Sequence, residues 1–171
     1  SEGPVIQCGH DGALANSGSL TQVLAMVVEF RQQDQTTPVV IMGYANPVER
    51  MGYAQFASEC AAAGVDGLIT VDLPPEEVGP LNAELQKVEI DNIFLISPTT
   101  PAQRIGTFTA NASGFIYYVA VKGVTGAGHL DSKDVGTHLD LIRAETALPI
   151  CVGFGIKDAE SATSVGAMAD G

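Results

Sequence analysis

Positive charge is what this 171-residue sequence has least of: 8 Lys and Arg stand against 20 Asp and Glu, for a net charge of -12. Such a surface repels phosphate backbones and anionic lipid, which argues against nucleic acid or a membrane as partner. A bound phosphate must then be held by local backbone N–H groups and not by a broad positive field. Long apolar runs are also missing, and none approaches the roughly 18–20 residues of a spanning helix. No charged–apolar–small leader is visible, so a cytoplasmic protein is expected, and the absence of Met at position 1 leads one to expect upstream sequence. Cysteine is sparse. Cys8, Cys60 and Cys151 contain no CxxC pair and read as reduced thiols. His10, His129 and His138 lack metal-ligand spacing, so surface or capping roles are expected and no metal.

What is present is a globular composition, 46% hydrophobic and 16% charged. Short apolar runs rich in β-branched residues alternate with longer segments of helical period. Strands are predicted at Val39–Gly43, Gly67–Val71, Ile93–Ile96, Gly114–Val119 and Pro149–Val152. None alternates strictly between apolar and polar, which suits a parallel sheet buried on both faces. Helix signals fill the gaps. Gly3–Pro4 opens a first helix and Gly18 ends it. Ser19 with Gln22 reads as a capping box for a second, about Leu20–Gln33. A helix near Met51–Ala63 stops at Gly64, a left-handed C′ residue. Pro75 with Glu76 and Glu77 starts another, Thr100–Pro101 and Ser132 two more, and Asp158 caps the last. This α/β rhythm fits an open doubly wound sheet or a closed barrel, and periodicity does not choose between them.

In either architecture chemistry gathers where strands end at their carboxyl edges. The first such loop carries Tyr44 and the turn-starting pair Asn46–Pro47; a packed Tyr in a structural turn is the plainer alternative. The second carries Asp72, which could be catalytic, a helix cap or a partner contact. The fourth, Lys122 to Gly128, sets three glycines around Thr125, and the fifth, Val152 to Ile156, is again glycine-rich. Both suit backbone capture of an anion, a site that barrels often build late in the chain.

Taken in order, these loops resemble the tryptophan synthase alpha family over nearly the whole chain. The resemblance rests on Glu2-Gly3-Pro4-Val5-Ile6-Gln7, Tyr44-Ala45-Asn46-Pro47, Gly64-Val65-Asp66-Gly67 leading to Val71-Asp72-Leu73-Pro74, Gly123-Val124-Thr125-Gly126, and Gly153-Phe154-Gly155-Ile156. It implies a (β/α)8 TIM barrel, present here as one incomplete domain over residues 1–171 with the five strands as the third to seventh. It also implies a lyase reaction: retro-aldol cleavage of indole-3-glycerol phosphate to indole and glyceraldehyde 3-phosphate, in tryptophan biosynthesis.

Family members use a Glu at the second strand as general acid/base, and that strand would lie before Ser1. An Asp that bonds the indole N–H corresponds to Glu2, the expected catalytic residue here. Its extra methylene carries the carboxylate about 1.5 Å further out. By the same resemblance Tyr44, Ile69, Ile96 and Tyr117 line the indole and glycerol pocket, with ordinary core as the alternative for Ile69 and Ile96. Thr125, Gly126 and Gly155 hold the phosphate, and the remaining phosphate donors would fall beyond Gly171. Asn46, Pro47 and Pro74 face a beta subunit in an alpha2beta2 complex. The family's alpha chain carries no cofactor, pyridoxal phosphate being expected only on the beta subunit. Asp72 then reads as a site-organising or interface group.

Two other readings are open. One is a non-catalytic barrel fragment that only binds a beta subunit or a complementing fragment. The other is an indole-glycerol-phosphate synthase, a family that relies on lysine where this chain offers only Lys122 at a predicted strand tip. An incomplete barrel would leave sheet edges unpaired, so the segment alone is expected to be unstable or oligomeric and without lyase activity.

Overall fold

The computed structural model describes residues 19–120, 132–153, 156 and 158–171; for Ser132 and Lys133 only the backbone is described. The described residues form two compact units, one running to Ile93 and one starting at Phe94. Both are α/β, and every strand pairing is parallel.

In the first unit, α1 (Leu20–Arg31) begins as the Ser19–Gln22 spacing predicts. The Ser19 hydroxyl accepts the Gln22 amide at 3.3 Å, and the Gln22 side chain accepts the Ser19 amide at 3.0 Å. There follow β1 (Val40–Gly43), α2 (Ala45–Met51), α3 (Tyr53–Ala63), β2 (Gly67–Thr70), α4 (Gly79–Lys87) and the first residues of β3 (Asp91–Ile96). β1 pairs with β2, and β2 with Asp91–Ile93. Gly64 ends α3 in the left-handed conformation, φ 87° and ψ 34°, as its position predicts.

Two helix expectations are corrected here. Asn46–Pro47 is not a free turn but part of the first turn of α2, where proline's missing N–H would have had no helical partner anyway. Gly52, at φ 90° and ψ 134°, separates α2 from α3. Pro75-Glu76-Glu77 makes only a turn, closed by the Glu77 amide on the Pro74 carbonyl at 3.0 Å. A helix continued from Pro75 would have Pro80 in its interior, so α4 starts at Gly79 with Pro80 in its first turn.

The amino-terminal edge of this unit is closed by Arg31. Its guanidinium donates to the Gly64 carbonyl at 2.8 Å, the Thr37 carbonyl at 2.7 Å and the Asp66 carboxylate at 2.5 Å. The same Asp66 oxygen accepts the Val39 amide at 2.6 Å. One arginine thereby joins the end of α1, the entry to β1 and the entry to β2. The core beneath α3 and α4 is Phe56, Cys60, Leu68, Val78, Leu81, Leu85 and Ile93, all buried.

The second unit continues from β3 through α5 (Ala102–Asn111), β4 (Ile116–Val119), α6 (Ser132–Arg143), β5 (Ile150–Gly153) and α7 (Ala159–Gly166). β4 pairs with Phe94–Ile96 on one side and β5 on the other. Asp158 caps α7 through the Ser161 amide at 2.8 Å, as predicted. One cluster from strands and helices fills the core: Ile96, Ile105, Ile116, Tyr118, Leu139, Ile142, Ile150 and Val165. His138 stacks on Tyr118 with ring centroids 6.0 Å apart. Among the described residues no helix is long and apolar enough to cross a membrane.

Candidate functional site at the strand tips

The carboxyl ends of β1 and β2 lie side by side in register, with Met42 opposite Ile69 and Gly43 opposite Thr70. Register partners on parallel strands share a face, and the next residue to do so is two along. Met42, Ile69 and Ile93 therefore share one face, and Tyr44, extended at φ -86° and ψ 154°, continues the same alternation past the end of β1. Ile69 is buried, whereas Met42 is 49% and Tyr44 39% exposed. An apolar surface leading to a half-open aromatic suits a flat aromatic ligand, which would cover what is exposed.

Tyr44 is also the N-cap residue of α2, and its side chain makes no cap hydrogen bond. The cap comes from Asp72, whose Oδ1 accepts the Ala45 amide at 2.7 Å. Next to that bond the Val71 amide donates to the Gly43 carbonyl at 3.0 Å. Of the three roles open to Asp72 from sequence, the structure selects a cap, but on the helix after the neighbouring strand. Asn46 and Pro47 stand in the first turn of that helix, and Pro74 lies two residues beyond Asp72, so the predicted partner-facing residues flank one hydrogen bond. Asp72 is the one carboxylate within two residues of a strand's carboxyl end among the described residues.

In the second unit, Tyr117 shares its face with Leu95 and Cys151, its register partners, and with Gly153 two residues further on. A Cβ on Gly153 would collide with the Tyr117 ring and hydroxyl, so the glycine is what lets the tyrosine lie across β5. Burial, and then the neighbouring Cys151, push the Tyr117 hydroxyl above its ordinary pKa. It therefore stays a neutral donor at physiological pH. Ile96 is opposite Tyr118, on the face packed into the core cluster with Ile105 and Leu139, which is the ordinary-core alternative left open for it. Leu95 holds the place on Tyr117's face. The strict alternation between Tyr117 and Tyr118, carried across to β3 by register, separates Leu95 from Ile96.

Beyond Ile96, a hydroxyl cluster closes the turn into α5: the Ser97 amide donates to Thr100 Oγ1 at 3.1 Å, and the Ser97 and Thr99 hydroxyls are 2.8 Å apart. Glu2, Thr125, Gly126 and Gly155 lie outside the described residues, as do Lys122, Cys8, His10 and His129. Among the described residues no group of three or more His, Cys, Asp or Glu could hold a metal ion.

The family profile described as "Tryptophan synthase alpha chain" matches residues 1–171. The chain is similar to the tryptophan synthase alpha chain of Nitrosococcus oceani, 54% identical over 170 residues that cover 99% of this chain and 63% of that one. It is similar to the chain of the same name from Chromobacterium violaceum, at 51% identity, with 99% and 65% covered. Among solved structures it resembles tryptophan synthase subunit alpha from Legionella pneumophila, with a TM-score of 0.87, 43% identity, and 99% and 62% of the two chains covered. It also resembles a chain of the tryptophan synthase a2b2 complex of Pyrococcus furiosus, with a TM-score of 0.89, 31% identity, and 100% and 69% covered. It spans less than two thirds of the length of these curated relatives. The chain belongs to the tryptophan synthase alpha chain family.

Proposed function

We propose that this chain is the substrate- and partner-binding portion of an alpha-chain lyase that cleaves indole-3-glycerol phosphate to indole and glyceraldehyde 3-phosphate. The observation that carries the reading is the order of family loops on successive parallel strands, with Tyr44 after β1, Asp72 after β2 and Gly153 ending β5. Within each unit parallel strands put their carboxyl ends at one edge, where an α/β fold gathers its ligand. Tyr44, Ile69, Leu95 and Tyr117 serve the indole and glycerol; Thr125, Gly126 and Gly155 serve the phosphate through backbone donors. Glu2 accepts the indole N–H. The general acid/base in this reading is a further carboxylate, beyond the residues named here.

The fold in this reading is an incomplete (β/α)8 barrel, a single cytoplasmic domain. Asn46, Pro47 and Pro74 face a tryptophan synthase beta subunit, which carries the pyridoxal phosphate, in an alpha2beta2 complex like that named for Pyrococcus furiosus. Indole release from indole-3-glycerol phosphate tests the proposal. The chain is assayed alone, with beta chain, and joined to the missing family segments. Activity is expected only in the joined form. Inactivity of the joined form overturns the lyase reading, and activity of the chain alone overturns the missing acid/base.

A second reading is a non-catalytic piece that binds a complementing fragment. It is favoured by an apolar groove of about 450 Å³ lined by Val23, Met26, Phe30, Pro38 and Val40, beside β1. Recovery of activity on mixing this chain with a separately expressed amino-terminal family segment would favour it over the covalently joined protein.

A further inference from the structure

We propose that Asp72 is a positioning residue that locks the loop after β1 to the tip of β2, and so holds Tyr44 for substrate and Asn46 and Pro47 for the partner. The proposal rests on the alpha-chain reading above and deepens it.

The loop after β1 has little of its own to hold it. α2 has seven residues, below the length at which a helix is stable by itself. Its N-cap residue is Tyr44, which supplies no side-chain cap, and its third residue is Pro47, which has no amide to donate. The Ala45 amide at the head of the helix is satisfied from 27 residues away by Asp72 Oδ1 at 2.7 Å. The backbone bond from Val71 to Gly43 fixes the base of the same junction at 3.0 Å.

Ala45 and Val48 of the first loop's helix and Leu73 of the second loop are each buried. Tyr44 directly precedes the held amide and Asn46 directly follows it. The carboxylate thus sets both the aromatic that faces the ligand and the turn that faces the partner. A group acting this way does so through an acceptor oxygen at one place, not through its charge or its proton.

Three variants in the full-length protein separate these possibilities. Asp72→Asn keeps a carbonyl oxygen at the same reach and removes the charge. Asp72→Glu keeps the charge and moves the oxygen outward. Asp72→Ala removes both. Amide exchange at Ala45, affinity for tryptophan synthase beta chain, and kcat and KM for indole-3-glycerol phosphate are measured for each.

The Ala and Glu variants are expected to exchange faster at Ala45, to bind beta chain about fivefold more weakly and to raise KM by a similar factor, the size of a lost helix cap. The Asn variant stays near wild type in all of these. An Asn variant that loses kcat as severely as the Ala variant overturns the proposal, because the carboxylate would then be a proton-transfer group. Unchanged exchange, affinity and KM in the Ala and Glu variants overturn it as well. Should Asp72→Ala not fold, the Asn and Glu pair gives the same decision. A wild-type protein with neither lyase activity nor beta-chain affinity sinks the alpha-chain reading instead, and exchange at Ala45 across the variants then decides the lock alone.

Discussion

β2 has a carboxylate just outside each end, and the two do different work. Asp66, at the amino end, meets the Arg31 guanidinium and the Val39 amide on the same oxygen, while Arg31 also takes the Gly64 and Thr37 carbonyls. Asp72, at the carboxyl end, accepts the single Ala45 amide and borders an exposed tyrosine. The first joins a helix end and two strand entries. The second joins the loops after β1 and β2, to which the proposed function gives substrate and partner. The difference illustrates a general division in parallel α/β folds, in which one edge of the strands is spent on stability and the other on function.

The comparison can be broken from its strong end first. Arg31→Met removes four side-chain hydrogen bonds, to Gly64, Asp34, Thr37 and Asp66, and leaves Asp66 without its cation; it should cost roughly 3 kcal/mol of stability. Urea unfolding followed by circular dichroism measures this, and the substrate KM of whatever remains folded should be unchanged. A variant as stable as wild type would mean that the amino edge is not the structural one.

Gly153→Ala pushes against the Tyr117 ring and should cost about 2 kcal/mol through overpacking. Combining it with Tyr117→Leu should recover most of that loss but not the substrate affinity. Thermal unfolding and KM together check it, and full recovery of both would remove Tyr117 from the site.

At the carboxyl end of β2, Asp72→Ala should cost only about 1 kcal/mol in urea unfolding, the worth of a typical cap. Its effect on KM and on partner affinity should exceed that of Arg31→Met. The reverse ranking would merge the two ends into one structural class.

The smallest effect is a control away from both. Burial, and secondarily Glu59, raises the Cys60 thiol from 9.0 to about 12. Between those values the folded state binds more protons than the unfolded one, so stability is complete below pH 9 and falls as the pH rises toward 12. Burial and then Asp134 move Tyr118 the same way, from 10.0 to about 12. Cys60→Ala should flatten the alkaline branch of the unfolding free energy, whereas Arg31→Met and Asp72→Ala should leave its slope unchanged.

Much of the fold was legible because its signals are local. Ser19 with Gln22, Gly64 and Asp158 each act on neighbours within a few residues, and all three perform as their spacing predicts. The strands announced themselves as β-branched apolar runs. Pocket and core both stay open for Ile96 in the sequence, because the run Ile93–Ile96 carries no polar residue to mark which side is which; packing places it in the core cluster. Asn46–Pro47 and Pro75 show the same limit at helix starts, where proline fits a turn and a first helical turn equally well until its neighbours are known.

From sequence alone came the alternation of strands and helices, the caps, the acidic surface and the loop motifs that mark the family. All of these follow from backbone preferences and residue chemistry that reach only a few positions along the chain. Tertiary structure decided which residues share a face, that Gly153 makes room for Tyr117, and that Asp72 answers an amide 27 residues away. Those relations depend on strand register, and register is set by the packing of whole elements against one another.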